Sequence, residues 1–324
     1  MKLISIVVPV FNEQENIQVF YQEVTKAMET LGYPFELIFV DDGSTDRTVL
    51  ILERISQQDS RVKAILLARN FGHQVALTCG LDHAVGEAVI TMDGDLQHPP
   101  ELLPVLIGKW EEGFEVVQTV RMATEGVSWF KERSSSLFYR LINAMSDIQI
   151  VEGGSDFRLL DKKVVQTFQC FKEKARFIRG IIGDMGYRQA QVEFVAPERF
   201  AGQSKFSLKK MIDFALNGIT AYSKLPLRFA FYLGLLFGLI SFGLTLDVVY
   251  IKLFTTEAVP GWATIAASVL LLGGLQLVVM GIIGEYVGRV FEEVKQRPLY
   301  WVRGEFKKNE QSSANREQRI HAAS

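Results

Sequence analysis

Cysteine is scarce in this chain of 324 residues, which contains only Cys79 and Cys170. The chain also opens without the basic, apolar and small-residue succession of a secretory signal peptide. Because disulfides persist in oxidising compartments, these two absences argue against a secreted, disulfide-stabilised protein. We expect a protein that faces the reducing cytosol, with both cysteines as buried free thiols.

An excess of charge of either sign is lacking as well. Lys and Arg number 35 against 37 Asp and Glu, which gives a formal net charge of -2 and a pI near 6.2. Such a balance argues against a generally basic nucleic-acid binder, so any attraction to phosphates must come from local clusters. We therefore expect no nucleic-acid partner.

Apolar residues, by contrast, are abundant and unevenly placed. They make up 48% of the chain, and two runs, from Phe229 to Ile251 and from Trp262 to Ile283, are almost uninterrupted. Each run has the roughly 20 residues that a helix needs to cross a bilayer. The one full charge within them, Asp247, lies near the end of its run and can reach the interface. The runs predict two transmembrane helices.

Basic residues flank the two predicted spans on their outer sides. Lys224 and Arg228 precede the first span, and Arg289, Lys295 and Arg297 follow the second, whereas the loop between them carries a single lysine. The positive-inside rule therefore places both ends of the chain in the cytoplasm. We expect a protein of the inner (cytoplasmic) membrane with two spans and a cytoplasmic N-terminal domain.

Short β-rich runs alternate with segments of helical period in the N-terminal part. The runs are Leu3 to Val10, Phe35 to Val40, Val62 to Leu67, Ala88 to Met92 and Val116 to Val120, and the clearest amphipathic helix is Gln14 to Leu31. Nearly continuous apolar runs are typical of strands that are buried on both faces. The alternation predicts an α/β domain with a mostly parallel sheet, whose ligands bind beyond the carboxyl ends of the strands.

A segment with several lysines lies before the first span. Between Ser207 and Phe229, apolar residues alternate with Lys209, Lys210 and Asp213, which favours an amphipathic helix in the membrane interface over an ordinary core helix. After Phe306 the chain is polar and predicts a disordered tail. The expected organisation is a cytoplasmic domain over 1–200, interfacial helices over 201–228, a two-helix transmembrane domain over 229–284 and a cytoplasmic C-terminal segment over 285–324.

Two aspartates separated by one glycine follow the fourth predicted strand, in "VITMDGDLQHPPE". Carboxylates this close repel each other unless a cation neutralises them, and hard divalent ions are held by one or two carboxylates together with substrate phosphates. Asp93 and Asp95 therefore predict a Mg²⁺ or Mn²⁺ site for a diphosphate, with a solvated turn as the alternative. Gln97 can add a neutral oxygen ligand, whereas His98 is expected to cap or stack because a hard ion prefers oxygen.

Carboxylates and amides also follow the first two strands, in "PVFNEQEN" and "VDDGSTD". Because these strand ends share one edge of the sheet, Glu13, Asp41 and Asp42 are candidates to accept hydrogen bonds from a base or a ribose. A turn with a helix cap is the alternative for the second motif. That alternative explains Ser44 well and Asp41 less well.

Cationic and hydroxyl side chains are the candidates for binding an anionic substrate. They are Arg121, Arg133, Arg199, Ser204 and Lys205. Guanidinium groups match phosphate oxygens well, although a surface salt bridge is the alternative for any single residue. As a set just before the predicted interfacial helix, these residues indicate a lipid phosphate.

Six motifs occur in a fixed order: "VVPVFNEQENI", "VDDGSTDRT", "ARNFGHQVAL", "MDGDLQHPPE", "GSDFRLLD" and "ERFAGQSKF". With the two apolar runs that follow, the chain resembles the inverting glycosyltransferases of family 2, and among them the polyprenyl-phosphate sugar transferases, that is, bactoprenol glucosyltransferases and dolichyl-phosphate mannose synthases. The resemblance covers Leu3 to Arg297 and implies the GT-A nucleotide-binding fold. It also implies Mg²⁺ or Mn²⁺ as cofactor and inverting transfer of a sugar, glucose from UDP-glucose by likeness to the bactoprenol branch, to a polyprenyl phosphate lipid.

The resemblance also implies a role for each matching residue. The nucleotide pocket is matched by Pro9, Phe11, Glu13, Asp41 and Asp42, with Asp93 facing the nucleotide sugar, and the metal site is matched by Asp95 and Gln97. Asp156 matches an acid beside the sugar and the acceptor, the usual candidate base, although a phosphate acceptor needs orientation more than proton removal. Binding of the acceptor phosphate or the donor diphosphate is matched by Arg121, Arg133, Arg199, Ser204 and Lys205.

Several alternatives stay open at the level of sequence. GDP-mannose with dolichyl phosphate, or transfer of aminoarabinose, would use the same groups. A processive polysaccharide synthase would need a "QxxRW" motif and more spans, neither of which the sequence contains. A catalytically silent membrane scaffold that binds a nucleotide sugar is the alternative outside enzymes, and the interfacial helix allows self-association into a homo-oligomer.

Overall fold

The fold is given by a computed structural model, which describes residues 2–122, 154–174, 176–195, 225–254 and 261–308. The chain divides into two compact units. One comprises Met1–Asn143, Ile148–Phe206 and Pro298–Ser324, and the other Ala144–Asp147 and Ser207–Arg297. The predicted boundaries at 200, 228 and 284 stay predictions. In this division, Pro298–Ser324 belongs to the same unit as the N-terminal part of the chain.

Strands and helices alternate through the first unit. The strands are β1 (Ile4–Val10), β2 (Phe35–Asp41), β3 (Val62–Leu67), β4 (Ala88–Thr91), β5 (Val116–Arg121), β6 (Gly154–Asp161), β7 (Gln189–Phe194) and β8 (Val302–Lys307). The helices of this unit are α1 (Ile17–Leu31), α2 (Thr48–Gln58), α3 (His73–His83), α4 (Leu103–Glu111), α5 (Lys162–Cys170) and α6 (Ile178–Asp184), with a 3₁₀ turn at Pro100–Leu102 before α4. All five predicted strands are confirmed, with ends shifted by no more than one residue.

One eight-stranded sheet, in the order β7-β5-β6-β4-β1-β2-β3-β8, organises this unit. Strands β4, β1, β2 and β3 are parallel, as predicted, and β5 pairs in parallel with β7. Strand β6 runs antiparallel to β4 and β5, and β8 runs antiparallel to β3. The N-terminal ends of β6 and β8 therefore lie at the edge where the parallel strands have their carboxyl ends, which is the expected ligand edge.

Helices cover both faces of the sheet because its central strands are apolar on both sides. Every residue of β1 is buried, and the predicted amphipathic helix α1 buries one face formed by Ile17, Phe20, Val24 and Met28. Phe20 packs edge-on against Phe39 of β2 with ring centroids 6.1 Å apart. Truncating such a fully buried ring costs about 3–5 kcal/mol of unfolding free energy. The helix ends at Gly32, whose left-handed φ of 71° suits glycine.

The second unit contains two long helices, α7 (Leu225–Phe254) and α8 (Trp262–Val294). By length and composition, each is apolar enough to cross a membrane, over Leu225–Leu244 and Leu271–Val294 respectively. Helix α8 extends past the predicted end of the second span at Ile283. Apart from the residues that open α7, the predicted interfacial segment lies outside the described residues.

Two expectations about the chain need correction or completion. Cys79 is buried and free as expected, but Cys170 is exposed at the last turn of α5, so the expectation of two buried thiols was wrong for Cys170. The polar segment after α8 forms the edge strand β8, which no sequence pattern predicted. The predicted disordered tail lies outside the described residues from position 309 onwards.

Candidate active site

Two loops that follow β1 and β2 are joined at the ligand edge. The backbone N–H of Asn12 donates to Ser44 Oγ at 2.9 Å, and Asn12 Oδ1 accepts from the backbone N–H of Thr45 at 2.9 Å. The backbone N–H of Glu13 donates to Thr48 Oγ1 at 3.0 Å. Asn12 adopts a left-handed φ of 55°, a conformation that asparagine tolerates better than most residues. The loops that contain "PVFNEQEN" and "VDDGSTD" are therefore hydrogen-bonded to each other at the ligand edge.

The residues predicted from the first motif differ in their exposure. Pro9 is buried within β1, whereas Phe11 and Glu13 are half-buried beyond its end. The Glu13 carboxylate accepts from Asn16 Nδ2 at 2.6 Å, at the start of α1. The structure thus places Phe11 and Glu13 at the ligand edge and Pro9 beneath them in the sheet.

Asp41 and Asp42 are both buried, but they have different partners. Asp42 accepts from the backbone N–H groups of Phe71 at 2.7 Å and Gly72 at 2.9 Å, so its two carboxylate oxygens fix the loop after β3. Asp41 accepts the backbone N–H of Ser44 at 3.2 Å. Burial raises the pKa of both carboxyl groups, and these hydrogen bonds oppose the rise. Asp42 therefore fixes the loop after β3, and Asp41 fixes the turn at Ser44. A contact of either residue with a nucleotide stays a prediction.

The Asp-x-Asp pair lies beyond the end of β4, where the prediction placed it. The Asp93 side chain is 35% exposed, while Asp95 is buried and accepts the backbone N–H of Gln97 at 3.1 Å. No group of three or more His, Cys, Asp or Glu side chains suited to a metal occurs in the described part of the chain. Two carboxylates at a strand end still fit Mg²⁺ or Mn²⁺, because such ions take one or two protein carboxylates and complete their shell with phosphate and water.

His98 supports the loop of Asp93 and Asp95 through a hydrogen bond and a stacked ring, which agrees with the expectation that it caps or stacks. Its Nδ1 accepts the backbone N–H of Asp93 at 2.8 Å, and its Nε2 lies 2.8 Å from Ser155 Oγ. The ring stacks on Phe157 with centroids 5.1 Å apart. Burial lowers the pKa of His98, so the imidazole is neutral and, because Nδ1 is an acceptor, carries its proton on Nε2.

Asp156 stands at the N-terminal end of β6 and is surrounded by cationic groups. Its Oδ1 accepts from Arg158 Nη2 at 2.9 Å and from Arg179 Nε at 3.0 Å, and its Oδ2 accepts from Gln74 Nε2 at 3.2 Å. Burial would raise the pKa of Asp156, but the hydrogen bond with His73 and the charges of Arg179 and Arg158 hold it well below its usual range. The group is a permanent carboxylate and therefore a weak base.

His73, the first residue of α3, links the two predicted catalytic acids. Its Nε2 lies 3.4 Å from Asp156 Oδ2 and 3.6 Å from Asp93 Oδ1. Burial opposes protonation of the ring, but the hydrogen bond with Asp156 and the charges of Asp93 and Asp156 raise its pKa to about 9. The structure therefore brings Asp93 and Asp156 together through a protonated histidine.

Arg158 is the anchor of this group inside the sheet. It is 1% exposed, and its Nη2 also donates to the backbone carbonyl of Ser155 at 2.9 Å. Burial lowers its pKa to about 10, and the charge of Asp156 opposes that shift. Its Nε and Nη1 have no hydrogen-bond partner among the residues that the structure describes. A buried cation of this kind depends on the carboxylate beside it.

Sequence reasoning missed four members of the cluster: His73, Gln74, Arg158 and Arg179. The first three stand inside quoted motifs, "ARNFGHQVAL" and "GSDFRLLD", but nothing in the spacing says that these motifs meet. Arg179 lies outside every motif and is brought in by α6. An arginine within an otherwise apolar strand was the available signal for Arg158, because such a residue is rarely buried without a partner.

The predicted phosphate-binding cations are only partly described. Arg121 is the last residue of β5 and is exposed at the ligand edge. Arg133, Arg199, Ser204 and Lys205 lie outside the described residues. Their role stays a prediction.

Comparison with known proteins gives three findings that bear on this site. The family model described as Glycosyl transferase family 2 matches residues 5–168. The chain is 45% identical to "Uncharacterized glycosyltransferase YkcC" of Bacillus subtilis over 92% of each chain. It is 41% identical to the "SfII prophage-derived bactoprenol glucosyl transferase" of Shigella flexneri, over 93% of this chain and 97% of that protein.

A solved structure is also similar, at lower identity. It is glucosyl-3-phosphoglycerate synthase from Mycobacterium tuberculosis in complex with Mn²⁺, UDP and phosphoglyceric acid. The identity is 20%, over 68% of this chain and 76% of that chain, and the TM-score is 0.45.

Proposed function

Because the chain belongs to glycosyl transferase family 2 and is a glycosyltransferase, we propose that it transfers glucose from UDP-glucose to a polyprenyl phosphate at the cytoplasmic face of the membrane. The relative named as a bactoprenol glucosyl transferase supports both the sugar and the lipid, since it aligns with almost the whole chain. The two apolar helices are compatible with a membrane location, and the basic residues that flank them favour a cytoplasmic N-terminal unit.

One observation carries the proposal: His73 lies within 4 Å of both Asp93 and Asp156, beside the joined loops that follow β1 and β2. It places two carboxylates and a cation next to the loops of Asp41 and Asp95, where a nucleotide sugar would lie. Carboxylates in this position can orient sugar hydroxyls, and fixed charges stabilise charge that develops in the transition state.

The reaction balances without a protein base. An oxygen of the acceptor phosphate attacks the anomeric carbon from the face opposite the diphosphate, and the bond between that carbon and the diphosphate oxygen breaks. UDP leaves with the bonding electron pair, and the product is a polyprenyl-phosphate sugar of inverted configuration. Because the acceptor oxygen is already anionic, no proton has to be removed. Asp156, held as a carboxylate by three cationic neighbours, accordingly positions the sugar.

Asp95 and Gln97 would hold the divalent ion together with the donor diphosphate. Bound there, Mg²⁺ or Mn²⁺ supplies positive charge that stabilises the leaving diphosphate. The chain's own part is to fix Asp95 through the Gln97 backbone N–H and to support the loop with the neutral His98. Arg121, Arg133, Arg199, Ser204 and Lys205 are proposed to bind the acceptor phosphate or the diphosphate.

The test uses purified full-length protein in detergent with undecaprenyl phosphate and Mn²⁺ or Mg²⁺. Radiolabelled UDP-glucose and GDP-mannose are supplied in separate reactions, and label is followed into the lipid phase. We expect label from UDP-glucose, its loss with a chelator, and a decrease of about 100-fold or more in Asp95→Ala. Glu23→Ala, which removes an exposed carboxylate from α1, is the matched control and should keep full activity.

The other outcomes separate the alternatives. Label only from GDP-mannose would overturn the proposed donor and leave transfer to lipid intact. UDP binding without lipid labelling from either donor would overturn the transfer and favour the silent scaffold. Chelator-resistant activity would contradict the metal site at Asp95. Self-association stays a prediction, which light scattering of the same preparation tests.

A further inference from the structure

Four side chains surround the carboxylate of Asp156 and use its capacity to accept hydrogen bonds. Its Oδ1 accepts from Arg158 Nη2 at 2.9 Å and from Arg179 Nε at 3.0 Å. Its Oδ2 accepts from Gln74 Nε2 at 3.2 Å, and His73 Nε2 lies 3.4 Å from the same atom. Because each carboxylate oxygen offers about two lone-pair sites, these four donors fill the group. A sugar hydroxyl could bind Asp156 only by displacing one of them.

The cationic donors around Asp156 differ in their exposure. Arg158 is 1% exposed, whereas the side chains of His73 and Arg179 are 42% and 27% exposed. His73 Nε2 also lies 3.6 Å from Asp93 Oδ1, beyond the end of β4. Arg179 is therefore the arginine of this cluster that a substrate beside Asp93 can reach.

Arg179 is held in place from two directions. It is the second residue of α6, and the backbone N–H of the first residue, Ile178, donates to Gln74 Oε1 at 3.2 Å. Gln74 donates in turn to Asp156, so one side-chain amide joins the start of α6 to the carboxylate. Arg179 donates to the same carboxylate through Nε. The guanidinium is thus preorganised, which reduces the conformational entropy that is lost when a ligand binds.

We propose that Arg179 binds an anionic phosphate oxygen of a substrate, and that Asp156 is the residue that positions Arg179. The inference rests on the proposed function, since it assigns a further contact in the same reaction. A guanidinium carries five N–H donors in a fixed fork that matches phosphate oxygens, and the contact of Nε with Asp156 uses one of them. Both substrates of the proposed transfer offer such oxygens, the donor in its diphosphate and the acceptor in its phosphate. Asp156 then positions the sugar through the groups that it fixes.

The experiment compares wild type, Arg179→Ala and Arg179→Lys as full-length protein in detergent with Mn²⁺. UDP affinity is measured by isothermal titration, and the KM for undecaprenyl phosphate is measured by lipid labelling at saturating UDP-glucose. We expect one of the two to weaken about tenfold or more in Arg179→Ala, because a hydrogen bond from a charged donor is lost. Arg179→Lys keeps the charge and should fall between Arg179→Ala and wild type. Arg54→Ala removes an exposed cation from α2 and should behave like wild type.

The two readouts separate the two sources of phosphate. Weaker UDP binding would assign the contact to the donor diphosphate, and a raised KM with unchanged UDP affinity would assign it to the acceptor phosphate. Arg179→Gln retains an N–H donor for Asp156 without the charge, and it carries the same test if Arg179→Ala does not fold.

Two results would overturn the inference. A lower kcat with unchanged UDP affinity and unchanged KM would show that Arg179 acts only through Asp156. An effect confined to the thermal midpoint would reduce Arg179 to a structural ion pair. Failure of the proposed function would look different, because wild-type protein itself would then not bind UDP or not label lipid.

Discussion

Asp156 and Arg158 form a buried charged pair with side chains 11% and 1% exposed. Removing one partner of such a pair leaves an uncompensated charge in the interior. We expect Asp156→Asn to lower the free energy of unfolding by about 3 kcal/mol or more, measured by denaturant titration. Asp184→Asn, an exposed change at the end of α6, should have no measurable effect. The double variant Asp156→Asn/Arg158→Met should recover part of the loss, and no recovery would contradict the charge argument.

His73 adds a dependence on pH at the same site. Its pKa is raised from 6.5 to about 9 in the folded protein, so the folded state binds a proton that the unfolded state releases earlier. The resulting stabilisation is complete below about pH 6.5 and is lost as the pH rises through about 9. The difference in thermal midpoint between wild type and His73→Gln should therefore shrink between these pH values. A difference that is constant with pH would show that His73 is not the protonated link.

Gly43 shows how one residue determines the contact between two loops. It has a φ of +75°, and a Cβ atom there would lie 2.6 Å from the Arg69 carbonyl carbon. Gly32 has a similar φ of +71° but open space around it. Both alanine variants should suffer backbone strain, and only Gly43→Ala should add a clash, of about 1–3 kcal/mol. Thermal unfolding of the two variants isolates the clash, and we expect UDP affinity to fall only in Gly43→Ala.

The elements that sequence could predict are those with an uninterrupted physical signal. Strands β1 to β4 are nearly continuous apolar runs, β5 is a β-rich run, and α1 carries an apolar stripe at helical spacing, so these elements were placed correctly. Strand β8 reads "VRGEFK", with half of its residues charged, because it pairs at a sheet edge and most of its side chains stay exposed. No local pattern distinguishes such a strand from a polar tail. Its partner β3 lies more than 200 residues earlier, and only tertiary structure brings the two together.

The candidate site was likewise predictable only where a sequence pattern fixes the position of its residues. Asp41, Asp42, Asp93 and Asp95 follow predicted strands, so their common edge could be inferred from topology. The contact between His73 and Asp156 could not be inferred, since it joins the start of α3 to strand β6. Because β6 is antiparallel to β4, its N-terminal end and not its carboxyl end lies at the ligand edge. Topology with parallel strands alone would not place Asp156 at this edge, so its position was predicted only from the resemblance to the glycosyltransferase family.

The arrangement of the whole chain about the membrane can be tested with its two cysteines. Cys170 is exposed in the N-terminal unit, while Cys79 is buried and burial raises its pKa to about 12, so it offers almost no thiolate to a reagent. If this unit is cytoplasmic, a membrane-impermeant maleimide should label the protein in inverted vesicles and not in intact cells. Cys170→Ser should abolish the labelling, which assigns it to that thiol. Labelling of intact cells would place the unit on the other side, where a cytoplasmic pool of nucleotide sugar could not reach Asp41 and Asp95, and the proposed reaction would have to be abandoned with the topology.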